Sequence, residues 1–236
     1  SGALAQAFAQ ISTVELLALS GNYVGALGAS ALGAAFKENT GLRSLQLNGK
    51  DIGNEGCIKL CEGLAARSKK ISNLDLGNNS IGPDAGPALR DYLKDDDSLT
   101  HLNLYMNELA NDGCAAIAEA LKDNKKIESL DIGGNNIGAF GAEKLAEALR
   151  DNGALETLEL GCVGANASSL TDLGYNEIKD KGAFALAQAI KNNAEGSLQT
   201  LSVNNNYLTK FGEVALTEAV ELVEEMNAGR DLYIQF

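Results

Sequence analysis

Tryptophan is absent from this 236-residue chain, proline occurs twice, histidine once, and aromatic residues make up only 5%. A core built from such a chain must be aliphatic. A single His leaves no imidazole cluster for a metal centre or acid–base pair, so no metal, no cofactor and no catalytic residue is expected. Two prolines rule out a Pro-rich linker, and 26 glycines without a triplet period rule out collagen. No 18-residue apolar run and no signal peptide is visible, so no membrane partner is expected. Basic residues are also scarce: 19 Lys and Arg face 32 Asp and Glu, for a formal charge of −13. That balance argues against nucleic acid, which needs clustered cations.

What the chain does contain is a repeat. The string LxLxxNxI recurs as LALSGNYV from Leu17, LQLNGKDI from Leu45, LDLGNNSI from Leu74, LNLYMNEL from Leu102 and LSVNNNYL from Leu201. The leading leucines fall at 17, 45, 74, 102, 130, 158 and 201, in steps of 28 or 29 until a final step of 43. Leu232 with Ile234 reads as an eighth start. The first half of each period alternates, as in Leu102 and Leu104 inward with Asn103 and Tyr105 outward, which is the signature of a short strand. The second half has helical spacing and is rich in Ala, Glu and Lys. Helices are wider than the strand spacing, so stacking strand–helix units must curve the array. The expected fold is an α/β solenoid over residues 1–236. Parallel strands line the concave face of a horseshoe and helices cover the convex face. About seven repeats are flanked by a partial N-terminal helix and a C-terminal strand.

The pattern LxxLxLxxNxIGxxGxxxLxxAL, traced from Ile127 through Leu149, resembles the ribonuclease-inhibitor-like class of leucine-rich repeats. Proteins of that class with 28-residue repeats include sensor domains of nucleotide-binding leucine-rich-repeat immune receptors, ribonuclease inhibitor and GTPase-activating proteins of the Ran GTPase. The resemblance implies a protein-binding scaffold that works through its concave face and loop rims. It carries two alternatives: a Ran-type GTPase-activating protein, or a receptor sensor fragment. It transfers no functional residue.

An Asn follows each strand, where the backbone leaves the ladder with unpaired polar groups. Asn22, Asn79, Asn107, Asn135, Asn176 and Asn206 form an expected structural ladder, with Lys50 the departure. The four cysteines, Cys57, Cys61, Cys114 and Cys162, read as free thiols, since Cys57 and Cys114 share one helix slot two repeats apart. That reading places the protein in a reducing, cytoplasmic compartment. All four are expected to react only slowly with a thiol reagent in the native state, with Cys162 the fastest because it lies off the repeat. The run Asp95–Asp97 reads as a solvated turn.

Candidate binding residues are those facing outward from the strands. Asp75, Asn103, Asp131 and Glu159 share one slot, and Tyr233 is assigned to it by the LxL pattern. Tyr105 and Asn204 share the next slot, which also holds Gly133 and Gly161. Tyr105 and Met106 beside His101 form the bulky group at mid-solenoid. Aromatic and Met anchors ringed by acids suit a protein partner, more basic than acidic. Acids on an open sheet have no pocket to exclude water, so they read as a binding stripe rather than an active site. Residues 162–174 restore a repeat when removed, which marks them as a rim-loop insertion. The bare starting helix and the apolar final strand suggest a piece of a longer chain, or an edge that pairs with another copy.

Overall fold

The computed structural model describes residues 2–19, 22–49, 51–162 and 175–236. Ser20, Lys50 and the insertion from residue 163 onward therefore lie outside the described residues. Eight three-residue strands form one parallel sheet in sequence order. They are β1 Leu16–Ala18, β2 Ser44–Gln46, β3 Asn73–Asp75, β4 His101–Asn103, β5 Ser129–Asp131, β6 Thr157–Glu159, β7 Thr200–Ser202 and β8 Tyr233–Gln235. The helices are α1 Gly2–Gln10, α2 Gly25–Phe36, α3 Gly53–Ala65, α4 Gly86–Lys94, α5 Ala110–Asp123, α6 Ala139–Leu149, α7 Lys179–Asn192 and α8 Lys210–Met226. A 3-10 turn, Pro83–Ala85, precedes α4. This is the expected α/β leucine-rich-repeat solenoid.

The core is a single aliphatic seam between the strand and helix layers. The strand leucines Leu45, Leu74, Leu102, Leu130, Leu158 and Leu201 are buried, as are Leu60, Leu89, Ile117, Leu145 and Leu186 from the helices. Burying side chains of this size stabilises by roughly 1.5–3 kcal/mol each. Where α2 meets α3, glycine sets the spacing: a Cβ on Gly63 would lie 1.9 Å from the Gly33 carbonyl oxygen. Only two bare backbones can approach so closely.

The Asn ladder has the geometry that its chemistry requires. Asn135 donates its amide to the carbonyls of Leu104 (2.9 Å), Ile132 and Gly133 (both 3.1 Å), and accepts from the Leu109 N–H. Asn107 and Asn176 repeat the arrangement, each linking its own turn to the preceding repeat. Asn79 does the same from a buried position, and buried Asn206 makes the donor half of the arrangement. Asn22 differs: it is exposed and donates to the Leu19 carbonyl at 3.4 Å.

A second ladder, at the helix-to-strand turns, is not anticipated by the sequence reading. Asn39, Asn124 and Asn152 are buried, and each donates to two carbonyls of the preceding repeat while accepting from its own turn. Asn193 donates in the same way to Leu149 and Asn152. Arg67 and Asp96 occupy the intervening rungs. Asp96 is buried and accepts from the N–H groups of Ser98 (2.9 Å) and Leu99 (2.7 Å). The acidic run around it is thus not simply solvated: its middle residue is part of the fold.

The last strand corrects the expected register. Tyr233 pairs with Thr200 and Ile234 with Leu201. Ile234, not Leu232, stands in the leading-leucine position. Tyr233 still faces outward, but in the slot of His101 rather than that of Asp131.

Candidate functional site

The outward face of the sheet carries the candidate residues in rows set by the strand register. Asp75, Asn103, Asp131 and Glu159 are Cα partners across β3 to β6, and Ser202 and Gln235 continue the row. The parallel pairing therefore brings three carboxylates into one line. His101 lies in the neighbouring row, between Asn73 and Ser129.

The row is not an open fringe of acids, as the sequence suggests. Asp75 and Asp131 each accept the N–H two residues on, from Gly77 and Gly133, both at 3.0 Å. Asn103 holds the Tyr105 N–H in the same way at 2.8 Å. Asp75 also accepts from Asn48 at 3.4 Å. All four are half-buried. Burial pushes Asp131 up to about 6; the Gly133 N–H opposes the shift, and the charges of Glu159 and Asp75 add to it. This carboxylate is partly desolvated, contrary to the expectation for an open sheet.

Tyr105 stands close to this row. A Cβ on Gly133 would sit 3.2 Å from the Tyr105 ring and 1.9 Å from the Gly161 carbonyl oxygen. The ring lies over the slot that Gly133 leaves empty. Its hydroxyl reaches Cys162, sharing a hydrogen bond with Sγ at 3.2 Å, and Cys162 Sγ lies 3.8 Å from Met106 Sδ. Burial first, then the bond to Cys162, raises the Tyr105 hydroxyl well above the usual phenol range. Met106 pays for its place: its φ is +53°, in a slot where the other repeats have Gly49, Asn78, Gly134 or Asn205.

The structure therefore joins Tyr105 and Met106 to Cys162, not to His101. The exposed His101 bonds Thr100 Oγ1 through Nδ1 at 2.8 Å. Asn204 folds back, accepting from Ser202 Oγ at 2.8 Å and covering Gly161. Tyr233 stands at the far edge, 63% exposed. All four cysteines are free and buried, Cys162 included. Its role had one sequence signal: glycines at the Tyr105 slot in the next two repeats, which leave an aromatic ring somewhere to lie. At the adjoining rim, Tyr175 and the exposed Tyr207 make an edge-to-face pair at 6.5 Å.

Comparison with known proteins agrees with this architecture. The Leucine Rich repeat family model matches residues 38–61, 97–118, 123–146 and 167–187. Leucine-rich repeat-containing protein 45 of Gallus gallus is 39% identical over 85 residues, which are 35% of this chain and 12% of that protein. The chain thus matches about an eighth of the length of that relative. Among solved structures, the Leiomodin-1 Actin-Binding Site 2 domain aligns with a TM-score of 0.51 at 16% identity, covering 74% of this chain and 91% of that one. The tropomodulin C-terminal domain of Caenorhabditis elegans aligns at 0.53 and 17%, covering 72% and 93%. At such identities the likeness concerns the fold. The 28-residue period, the single parallel sheet and the matched repeats together make the chain a leucine-rich-repeat solenoid.

Proposed function

We propose that the chain is a non-catalytic protein-recognition scaffold whose concave sheet binds a basic surface of a partner protein. The observation that carries this reading is the row Asp75, Asn103, Asp131 and Glu159, aligned across four strands beside the Tyr105 ring. Carboxylates held by backbone N–H groups on a fixed sheet are preorganised for cations. Half-buried, they are less screened by salt than charges on a flexible loop. An aromatic ring beside them offers a face for an arginine or lysine. The chain's charge of −13 steers a basic partner toward it.

The test is affinity purification with the native chain and with a variant carrying Asp75→Asn, Asp131→Asn and Glu159→Gln, run in parallel. Basic proteins retained by the native chain and lost by the variant would support the reading. Identical retention would overturn it. One similar structure is described as an actin-binding site, so actin co-sedimentation belongs in the same comparison.

A further inference from the structure

The helix layer is clamped unevenly. Ion pairs cross between successive helices at three joints: Arg90–Glu119 (3.6 Å) and Lys94–Asp123 (3.4 Å) join α4 to α5, Lys122–Glu147 (3.5 Å) joins α5 to α6, and Lys181–Glu143 (2.8 Å) joins α6 to α7. The α2–α3 joint is closed by the Gly33–Gly63 backbone approach. Thr209, just before α8, bonds Asp180 of α7 twice.

Between α3 and α4, among the described residues, no ion pair crosses. The repeat register explains why. Cys61 and Ala65 hold the α3 slots that carry Arg90 and Lys94 in α4. Glu62 and Asp91 are paired only along their own helices, with Lys59 and Arg90. A groove of about 450 Å³ separates the two helices, lined by Ile58, Ala65 and Ala88 together with Glu62, Asp84 and Asp91. The α5–α6 joint has a groove of similar size, about 460 Å³, but there Lys122 and Glu147 span it.

Other irregularities fall at the same joint. The only two prolines in the chain, Pro83 and Pro87, lie at the start of the α4 segment. Helix α4 has 9 residues, against 11 to 17 in the four helices after it. The single 29-residue step puts one extra residue in the turn leaving α3. The second polar ladder breaks here as well. Asp96 cannot donate to the carbonyls of the preceding turn as Asn124 and Asn152 do. Near the break, Arg67 Nη1 has no hydrogen-bond partner, and the buried Tyr92 hydroxyl faces the Asp96 carboxylate. On the concave side, β3 and β4 remain paired over all three residues.

We infer that the α3–α4 joint is a hinge, at which the helix layer opens and closes while the β3–β4 ladder holds, so that the solenoid changes curvature there. Packed, ion-paired joints resist such movement; a joint with a groove, no clamp and a broken polar ladder offers the least resistance. The chain through α3 and the chain from α4 onward then move as two bodies. This conclusion does not depend on what the concave face binds.

Spin labels on the exposed ends of neighbouring helices test it. One pair is Ala66→Cys with Asp95→Cys, across the proposed hinge. The control pair is Asp123→Cys with Asp151→Cys, the same slots across α5–α6. The native cysteines are all buried. Pulsed dipolar spectroscopy should give a broader distance distribution for the first pair than for the second. Adding Ala65→Lys, which supplies the missing cation opposite Asp91, together with Ala88→Leu in the groove, should narrow the first distribution toward the control. Equal widths at the two joints in the native background would overturn the hinge. A broad width left unchanged by the two added substitutions would overturn its assignment to the unclamped groove.

Discussion

The Tyr105 hydroxyl and the Cys162 thiol meet at 3.2 Å, with the ring of Tyr105 lying over Gly133 between them. This contact ties the end of β4 to the end of β6, two repeats away, and shields a thiol that the sequence places at an irregularity. Reactivity at a cysteine needs access as well as thiolate character. Native Cys162 should therefore label slowly with a thiol reagent. Tyr105→Ala should make it the fastest of the four cysteines, by severalfold, whereas Tyr105→Phe should keep the cover and leave the rate near native. Peptide-resolved labelling kinetics would decide, and fast labelling of the native protein would show that the ring is not the shield.

The Asn ladder should carry stability in proportion to burial. Asn135→Ala takes one of two donors from each of the Leu104, Ile132 and Gly133 carbonyls and leaves the Leu109 N–H without its side-chain acceptor. It should cost roughly 1–3 kcal/mol in urea unfolding. Asn22→Ala, at an exposed rung, should cost under about 0.5 kcal/mol. Equal losses would contradict the ladder argument.

Asp131 makes stability pH-dependent in a defined direction. Its folded value, about 6, lies above the ordinary carboxylate value of 3.8. The folded chain therefore binds this proton more tightly than the unfolded chain. The favourable contribution is fully present below 3.8 and is lost as pH rises through about 6. At pH 7 the charged, half-buried group is a liability. Asp131→Asn should raise stability there by about 1–2 kcal/mol, allowing for partial exposure and screening, with the gain vanishing near pH 4. The Asn side chain can still accept the Gly133 N–H, as Asn103 accepts that of Tyr105. Thermal melts of both proteins across that range provide the check; a gain that persists at pH 4 would place its origin elsewhere.

The second ladder offers a repair. Asp96→Asn keeps the oxygen that accepts from Ser98 and Leu99, and replaces the buried Oδ2, beside the Tyr92 hydroxyl, with a donor. By analogy with Asn124, that donor would face the carbonyls of Leu64 and Arg67. Stability should rise by about 1 kcal/mol, read from a shifted urea midpoint at constant slope. A loss would mean that the carboxylate charge is needed at this joint.

The repeat period, the two hydrophobic spacings within it and the Asn after each strand are local patterns. They determined the solenoid, its parallel sheet and the row that aligns Asp75, Asn103, Asp131 and Glu159, because equal spacing along the chain becomes adjacency once the units stack. Tertiary structure decided what depends on neighbours. How far Asp131 is desolvated depends on the strands stacked on either side of it. Whether Cys162 is accessible depends on the Tyr105 ring, two repeats away. The final strand shows the limit most plainly: Leu232 and Ile234 both fit an alternating pattern, and side chains at i and i+2 share a face, so periodicity alone cannot fix a two-residue shift. Hydrogen bonding to β7 selected Tyr233 opposite Thr200. The α3–α4 joint was equally hidden, since an extra residue, two prolines and a missing cation are each unremarkable along the chain and meet only when the helices are laid side by side.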